Sequence, residues 1–386
     1  MTFKKLTGQI HLWLGLASGL IVLIIGLTGC ILVFEEEIST LLNYGVFQKV
    51  EQTDKPLALP SHIFAVADSA LQDKKIARSY YTVYLKESRV TALWALDSAR
   101  QYHAVLQNPY TGKVVSNFDY TNAFFTIITH LHVSLAMGEV GTAIISYSTM
   151  IFVVLMITGL ILWKPASKKG YKQRFTIKWN AKSKRLNYDL HNVLGFYMSW
   201  IAVIIAFTGL VWSFEWMNDS VQWIANGGKT ITAKQEKIVS DTAAAACCTS
   251  KDSYTKIADS VFVLHARDAQ KVRAIRFYKP SSHTDALRTT IETITGANYT
   301  RSDDYYYDQY NGKLLSTQSF ADQHNGEKLR RMNYAIHVGS IGGLTGKLLA
   351  FFASLIAASL PVTGLIIWKG RKKTVEPRST KKSKAI

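Results

Sequence analysis

Apolar and polar positions follow two different rhythms along this chain. Four stretches, 6–34, 140–163, 190–214 and 348–368, run without a single Asp, Glu, Lys or Arg. Each reaches the ~20 mainly apolar residues that carry a helix across ~30 Å of hydrocarbon. Four membrane helices are therefore expected, at 1–34, 140–163, 190–214 and 348–368. The first run is too long for the apolar core of a signal peptide and lacks a small-x-small cleavage site, so it reads as a retained anchor. Four crossings put both termini on one side. Between the spans, in 35–139 and 215–347, the period drops to two. Strand-like alternation occurs at 80–85, 90–96 and 102–106, and again at 272–278, 287–293 and 305–309. Residues 61–75 and 235–260 have helical composition. Each of these segments has the size of a small α+β domain.

The two halves are in register. His11 and His191 each open a span and are followed by Gly at +4 (Gly15, Gly195), Thr-Gly at +17 (Thr28-Gly29, Thr208-Gly209) and Phe-Glu at +23 (Phe34-Glu35, Phe214-Glu215). His132 and His337 precede the other spans and are followed by Thr-Gly-Leu-Ile at +26 (from Thr158 and Thr363) and Trp-Lys at +31 (from Trp163 and Trp368). Two turns, Tyr110-Thr111-Gly112-Lys113 and Tyr310-Asn311-Gly312-Lys313, lie 200 residues apart. Such register indicates a tandem duplication, with one α+β domain per repeat.

Charge orients the spans. The net charge of +18 is concentrated in three short segments. Lys4 and Lys5 precede the first span. The loop 164–189 carries nine Lys and Arg, and the tail 369–386 carries eight against Glu376 alone. By the positive-inside rule these segments are cytoplasmic and the two long segments face outward. Contact with anionic lipid accounts for the basic residues without nucleic acid. Cys30 lies in a span as a small packing residue. The adjacent Cys247 and Cys248 fit a strained vicinal disulfide or two free thiols about equally, and no chemistry is assigned to them.

A histidine within a membrane span is costly and marks a functional position. One alone at a helix end is often inert, but four in two matched pairs ask for a shared purpose. His11 and His191 fall near the cytoplasmic ends of their spans, His132 and His337 near the outward ends. Each level thus offers two imidazoles, short of the four ligands of a structural zinc site. Two trans imidazoles suit a six-coordinate b-type haem, and no Cys-x-x-Cys-His attachment motif is present. The repeated glycines fit a macrocycle between helices, although close packing of small residues explains them nearly as well. His130 is the rival to His132, but its counterpart is Ala335, so the repeat selects His132. His62, His103, His265, His283 and His324 have no matched partner and read as ordinary domain residues.

These segments carry a resemblance. Ile10-His11-Leu12-Trp13-Leu14-Gly15, Leu131-His132-Val133-Ser134, Leu190-His191-Asn192-Val193-Leu194-Gly195 and Ile336-His337-Val338-Gly339 resemble the PepSY-associated transmembrane proteins, often called iron-regulated membrane proteins. The likeness covers essentially the whole chain. It implies an inner-membrane electron-transfer protein with two PepSY-like periplasmic domains and two haem b, His11 with His191 holding the inner haem and His132 with His337 the outer one. It further implies reduction of a periplasmic ferric siderophore to release Fe(II). No Gly-x-Gly-x-x-Gly fingerprint is present, so electrons must come from a separate donor, a quinol or a flavoprotein. Tyr305, Tyr306, Tyr307 and Tyr310 are candidates to line a chelate site, with strand packing as the plainer reading. The alternative function is a non-redox PepSY membrane protein that binds peptide or modulates a protease. A transporter fits poorly, because the span proline Pro361 corresponds to Met156 in the other half.

Overall fold

The structure, a computed structural model, describes residues 2–85, 87–165, 171–231, 237–242, 253–267, 271–293 and 301–372. Cys247, Cys248, part of the basic loop and nearly all of the basic tail lie outside the described residues. Helices α1 (Phe3–Val33), α2 (Glu35–Leu41) and α3 (Pro60–Ala70) lead to strands β1 (Ile76–Tyr84), β2 (Thr91–Asp97), β3 (Tyr102–Gln107) and β4 (Val114–Asp119). Next come α4 (Phe124–Ser134), α5 (Gly138–Trp163), α6 (Tyr171–Phe175) and α7 (Ser183–Asp189). A π-helical turn, Leu190–Leu194, joins α7 to α8 (Gly195–Ser213). Helices α9 (Glu215–Ala225) and α10 (Ser253–Ala266) precede β5 (Val272–Tyr278), β6 (Leu287–Thr293), β7 (Arg301–Tyr307) and β8 (Leu314–Gln318). Helices α11 (Asn325–His337) and α12 (Gly343–Lys372) follow. The chain divides into two compact units, one of residues 1–33, 128–219 and 333–386, the other of residues 34–127 and 220–332.

The first unit is a helix bundle. Among the described residues, four helical stretches are long and apolar enough to cross a membrane: Phe3–Val33, Gly138–Trp163, Ser183–Ser213 and Ser340–Gly370. The last two reach beyond the charge-free runs, because backbone hydrogen bonding continues into polar flanks where the apolar pattern has stopped. Helix α1 packs beside α5 and α12, and α8 packs beside the same two, so α1 and α8 occupy one diagonal and α5 and α12 the other. The approach of α1 to α12 is close. A methyl group at Gly26 would fall 2.8 Å from both the Ala358 Cβ and the Ser354 carbonyl oxygen, and one at Gly19 would meet Pro361 at 3.1 Å. Without a hydrophobic drive in lipid, such small-residue contact lets dispersion hold helices together. Helices α4 and α11, which carry His132 and His337, each end just before a left-handed backbone. Leu135 and Ala136 (φ 50° and 56°) follow the first, and Gly339 (φ 76°) follows the second. Left-handed φ stops a helix abruptly.

The second unit is built on one eight-stranded antiparallel sheet of order β4-β3-β2-β1-β5-β6-β7-β8. This differs from the expected pair of separate domains. Strands 76–84 and 272–278, one from each half of the chain, pair along the middle with Tyr80 opposite Tyr278, Thr82 opposite Arg276 and Tyr84 opposite Ala274. Two four-stranded meanders therefore fuse edge to edge, which removes two exposed edges. Alternate residues face opposite ways. Tyr81, Val83, Ile275, Phe277 and Leu287 point to one side, where Ile63 and Phe64 of α3 and Val261 and Phe262 of α10 cover them. Burying each such side chain contributes about 1.5–3 kcal/mol. The other side carries a smaller cluster of Val46, Val90, Ala92, Ala104 and Leu106.

The matched turns are the same structure twice. In each, the residue six before the strand donates to Lys113 or Lys313 and accepts from Gly112 or Gly312, as Asn108 and Asp308 show at 2.8–3.0 Å. Their side-chain oxygens also take the amide of Tyr110 or Tyr310 at 2.9 Å. The glycines sit at φ 70° and 74°, where a side chain is strained. The tyrosine run does not form one cluster. Tyr305 and Tyr307 stack on each other beside the helix-covered core, and Tyr306, one residue out of phase, belongs to the opposite face.

Candidate cofactor site in the helix bundle

Each of the four matched histidines is fixed by a threonine of the Thr-Gly pair on a neighbouring span. His11 Nδ1 lies 2.9 Å from Thr158 Oγ1, and His191 Nδ1 lies 2.8 Å from Thr363 Oγ1. His132 Nδ1 lies 2.9 Å from Thr28 Oγ1, and His337 Nδ1 lies 2.8 Å from Thr208 Oγ1. The sequence flagged these Thr-Gly pairs only for their glycines. Their threonines hold partners 104 to 172 residues away, a relation that no local pattern shows.

The glycines act on the same rings. A Cβ at Gly29 would stand 3.3 Å from His132 Cε1, at Gly159 3.4 Å from His11 Cε1, at Gly209 3.7 Å from His337 Cε1 and at Gly364 3.3 Å from His191 Cε1. All four glycines let an imidazole edge lie against the helix, and Gly159 and Gly364 also line an open volume. Gly15 and Gly195 meet no histidine. They line an open volume and face Leu155 and Leu360 at ordinary contact distance.

That volume is a cavity of about 680 Å³ inside the bundle, within the 300–1,000 Å³ span of small-molecule and cofactor sites. His11 and His191, on diagonally opposed helices, both line it. Its walls include Leu12, Leu16, Phe152, Leu155, Leu160, Phe196 and Leu360, and at the end where α1 begins it is edged by Lys4, Lys5, Arg174 and Tyr188. Trp163 stacks on Phe196 with ring centres 3.9 Å apart, and Arg174 Nη1 donates to Asn192 Oδ1 at 3.2 Å. Lys4 and Lys5 were read from sequence only as orienting charges. Their place at this cavity appears only once α1 is packed against α5 and α12.

The π-helical turn at Leu190–Leu194 contains His191. Such single-turn irregularities recur at functional sites, because the extra residue re-aims one side chain.

The second pair is drawn together directly. The rings of His132 and His337 have centres 6.2 Å apart and planes inclined at 71°. Two metal–imidazole bonds of about 2 Å in line, with ~1 Å from each nitrogen to its ring centre, span roughly 6 Å. One metal centre between two imidazoles therefore suits this spacing. Trp212 stands edge-on to His337 at 5.2 Å. His130 is exposed, and its carbonyl accepts the Ser134 hydroxyl at 2.9 Å. Its neighbour His132 is the one placed against a threonine and a second histidine.

Among the described residues, no group of three or more His, Cys, Asp or Glu is assembled for a bare metal ion. The other histidines make structural contacts in the sheet unit: His103 with Asp97 at 2.9 Å, His62 with the Thr111 carbonyl at 3.2 Å, His265 with the Tyr307 hydroxyl at 3.3 Å, His324 with Asn226 at 3.2 Å and His283 through its carbonyl, which accepts from the Tyr310 hydroxyl at 2.8 Å. Paired imidazoles, an apolar cavity of cofactor size and cations at its rim fit a planar prosthetic group with anionic substituents. A family model described as the PepSY-associated TM region matches residues 9–371. No curated protein matches the chain.

Proposed function

The chain belongs to the PepSY-associated transmembrane family, and from that premise we propose that it is a di-haem b electron-transfer protein of the inner membrane that reduces a periplasmic ferric siderophore. The observation that carries this reading is the fourfold His–Thr pairing, which engages every matched imidazole through Nδ1 and leaves Nε2 available as a ligand. The repetition of the same contacts in both halves supports a tandem duplication. The positive-inside rule applied to Lys4, Lys5, the 164–189 loop and the 369–386 tail supports cytoplasmic termini.

His11 with His191 would hold the inner haem, and His132 with His337 the outer one. Bound haem iron supplies reversible one-electron chemistry. The apolar walls of the cavity exclude water and keep the dielectric low, and Lys4, Lys5 and Arg174 would meet propionate carboxylates. The substrate step is Fe(III) plus one electron giving Fe(II). Hard oxygen donors of the chelate match Fe(III) far better than Fe(II), so the metal is released. A quinol or a flavoprotein would supply the electron.

The test uses the full-length protein purified in detergent. A pyridine haemochrome assay should give two non-covalent b haems per chain, and one or none would sink the reading. The dithionite-reduced protein, mixed with a ferric hydroxamate or catecholate in stopped flow, should be reoxidised saturably and be inhibited by the gallium analogue. Reoxidation linear in chelate and indifferent to gallium would reduce the function to that of an electron carrier with another acceptor.

A further inference from the structure

We propose that the four threonines are positioning residues that fix which nitrogen of each histidine binds iron and lower the potential of the haem it holds, and that they act crosswise. Thr158 and Thr363 would serve the haem held by His11 and His191, while Thr28 and Thr208 would serve the other. The proposal rests on the di-haem reading.

A threonine hydroxyl has one proton to donate and two lone pairs. In every case that proton has a taker on its own helix. Thr158 Oγ1 donates to the Val154 carbonyl at 2.8 Å and Thr363 Oγ1 to the Ser359 carbonyl at 3.0 Å. Thr28 Oγ1 donates to Ile24 at 2.8 Å, and Thr208 Oγ1 to Ile205 at 2.7 Å. With its proton engaged, each hydroxyl oxygen can only accept from the imidazole. Nδ1 must then carry the hydrogen, and Nε2 keeps its lone pair facing away from the threonine. The neutral Nε2-ligating tautomer is set before any metal arrives.

An acceptor on the distal N–H also makes an imidazole a more basic ligand. A more basic ligand favours Fe(III) over Fe(II), so the threonine should depress the potential. The effect is strengthened because each hydroxyl is itself polarised by donating to a carbonyl. Each imidazole also faces a backbone carbonyl of the threonine's own helix, Leu155 for His11, Ile25 for His132, Leu360 for His191 and, at 3.1 Å from Nδ1, Ile205 for His337. A carbonyl can only accept, so it too keeps the hydrogen on Nδ1.

The crosswise pattern is the specific content. Helix α1 supplies a ligand to one haem through His11 and the support for the other through Thr28. The π-helical turn and the α8 that continues it do the same through His191 and Thr208. A threonine that was merely a small packing residue would have no reason to move one haem rather than the other.

The experiment is spectroelectrochemical titration of the full-length, haem-loaded protein and its variants. Thr158→Val and Thr363→Val should each raise the midpoint of one and the same haem. Thr28→Val and Thr208→Val should each raise that of the other. The expected change is about tenfold in the reduction equilibrium, ~59 mV for one electron. The matching Thr→Ser variants should restore the wild-type midpoints. A variant that loses haem as valine and keeps it as serine also supports the role of the hydroxyl. Unchanged midpoints in all four valine variants overturn the proposal, as do equal losses in valine and serine, or Thr158→Val and Thr28→Val shifting the same haem. Failure of the di-haem reading itself would appear earlier, as wild-type protein without two haems.

Discussion

At the level of single residues, the four histidines could be picked out in the sequence because the matching register of the two halves sorts them. His132 is separated from His130 only by its counterpart at 337, and the structure pairs His132 with Thr28 and His337. Replacing His11 or His191 with Ala is expected to remove one haem of the two, and replacing His132 or His337 the other. His130→Ala should retain both, and haem content per chain checks all five. What stayed hidden was the purpose of the threonines and of the glycines beside them, since both act on rings carried by other helices. The sheet unit offers a separate test. The hydrogen bond from His103, helped by the Gln101 amide, holds the Asp97 carboxyl below its usual range. A depressed carboxyl contributes stability that is present above its unfolded value of ~3.9 and lost as pH falls through the lower folded value. His103→Leu should therefore destabilise the sheet unit at neutral pH, with the gap from wild type closing below about pH 4. Thermal unfolding across pH reads this out, and parallel curves would refute it.

Among elements, spans and strands were foreseeable where apolar residues mark them, and boundaries were not. Strand β7 begins at Arg301, four residues before the aromatic run that announced it, because Arg301-Ser302-Asp303-Asp304 is polar yet fully paired with β6. Pairing is a property of the partner as much as of the strand. The period-2 rule also divides the Tyr305–Tyr307 run between two faces, which a reading by composition alone groups together. The close contact of α1 with α12 makes a firm prediction. Gly26→Leu forces side-chain atoms into Ala358 and Ser354, and overpacking of this kind typically costs about 1–3 kcal/mol or more. Its melting temperature in detergent should fall clearly, whereas Gly138→Ala, with open space around it but φ of 59°, should fall less. Equal loss in both would mean that the helix contact is not what matters.

For the molecule as a whole, orientation is the property on which a periplasmic reductase depends. A reporter active only in the cytoplasm should work when fused after Ile386 or inserted within 168–185, and should fail at Gly112 or Gly312. Activity at either glycine would reverse the membrane orientation and exclude reduction on the outward side. The fused sheet was not foreseeable, because β1 and β5 look like any half-buried strands and nothing local declares them partners. Their seam has a consequence for the order of events in the cell. Strand β1 is complete at Tyr84, and its partner β5 begins only at Val272. At the usual elongation rate of about 5–20 residues per second, roughly 10–40 s of synthesis separate the two. During that interval the first meander presents a ribbon of unsatisfied amides and carbonyls, the kind of template on which chains aggregate. A newborn copy is thus most vulnerable in mid-synthesis, and a holdase or a crowded neighbour would find its target at that moment and at that strand.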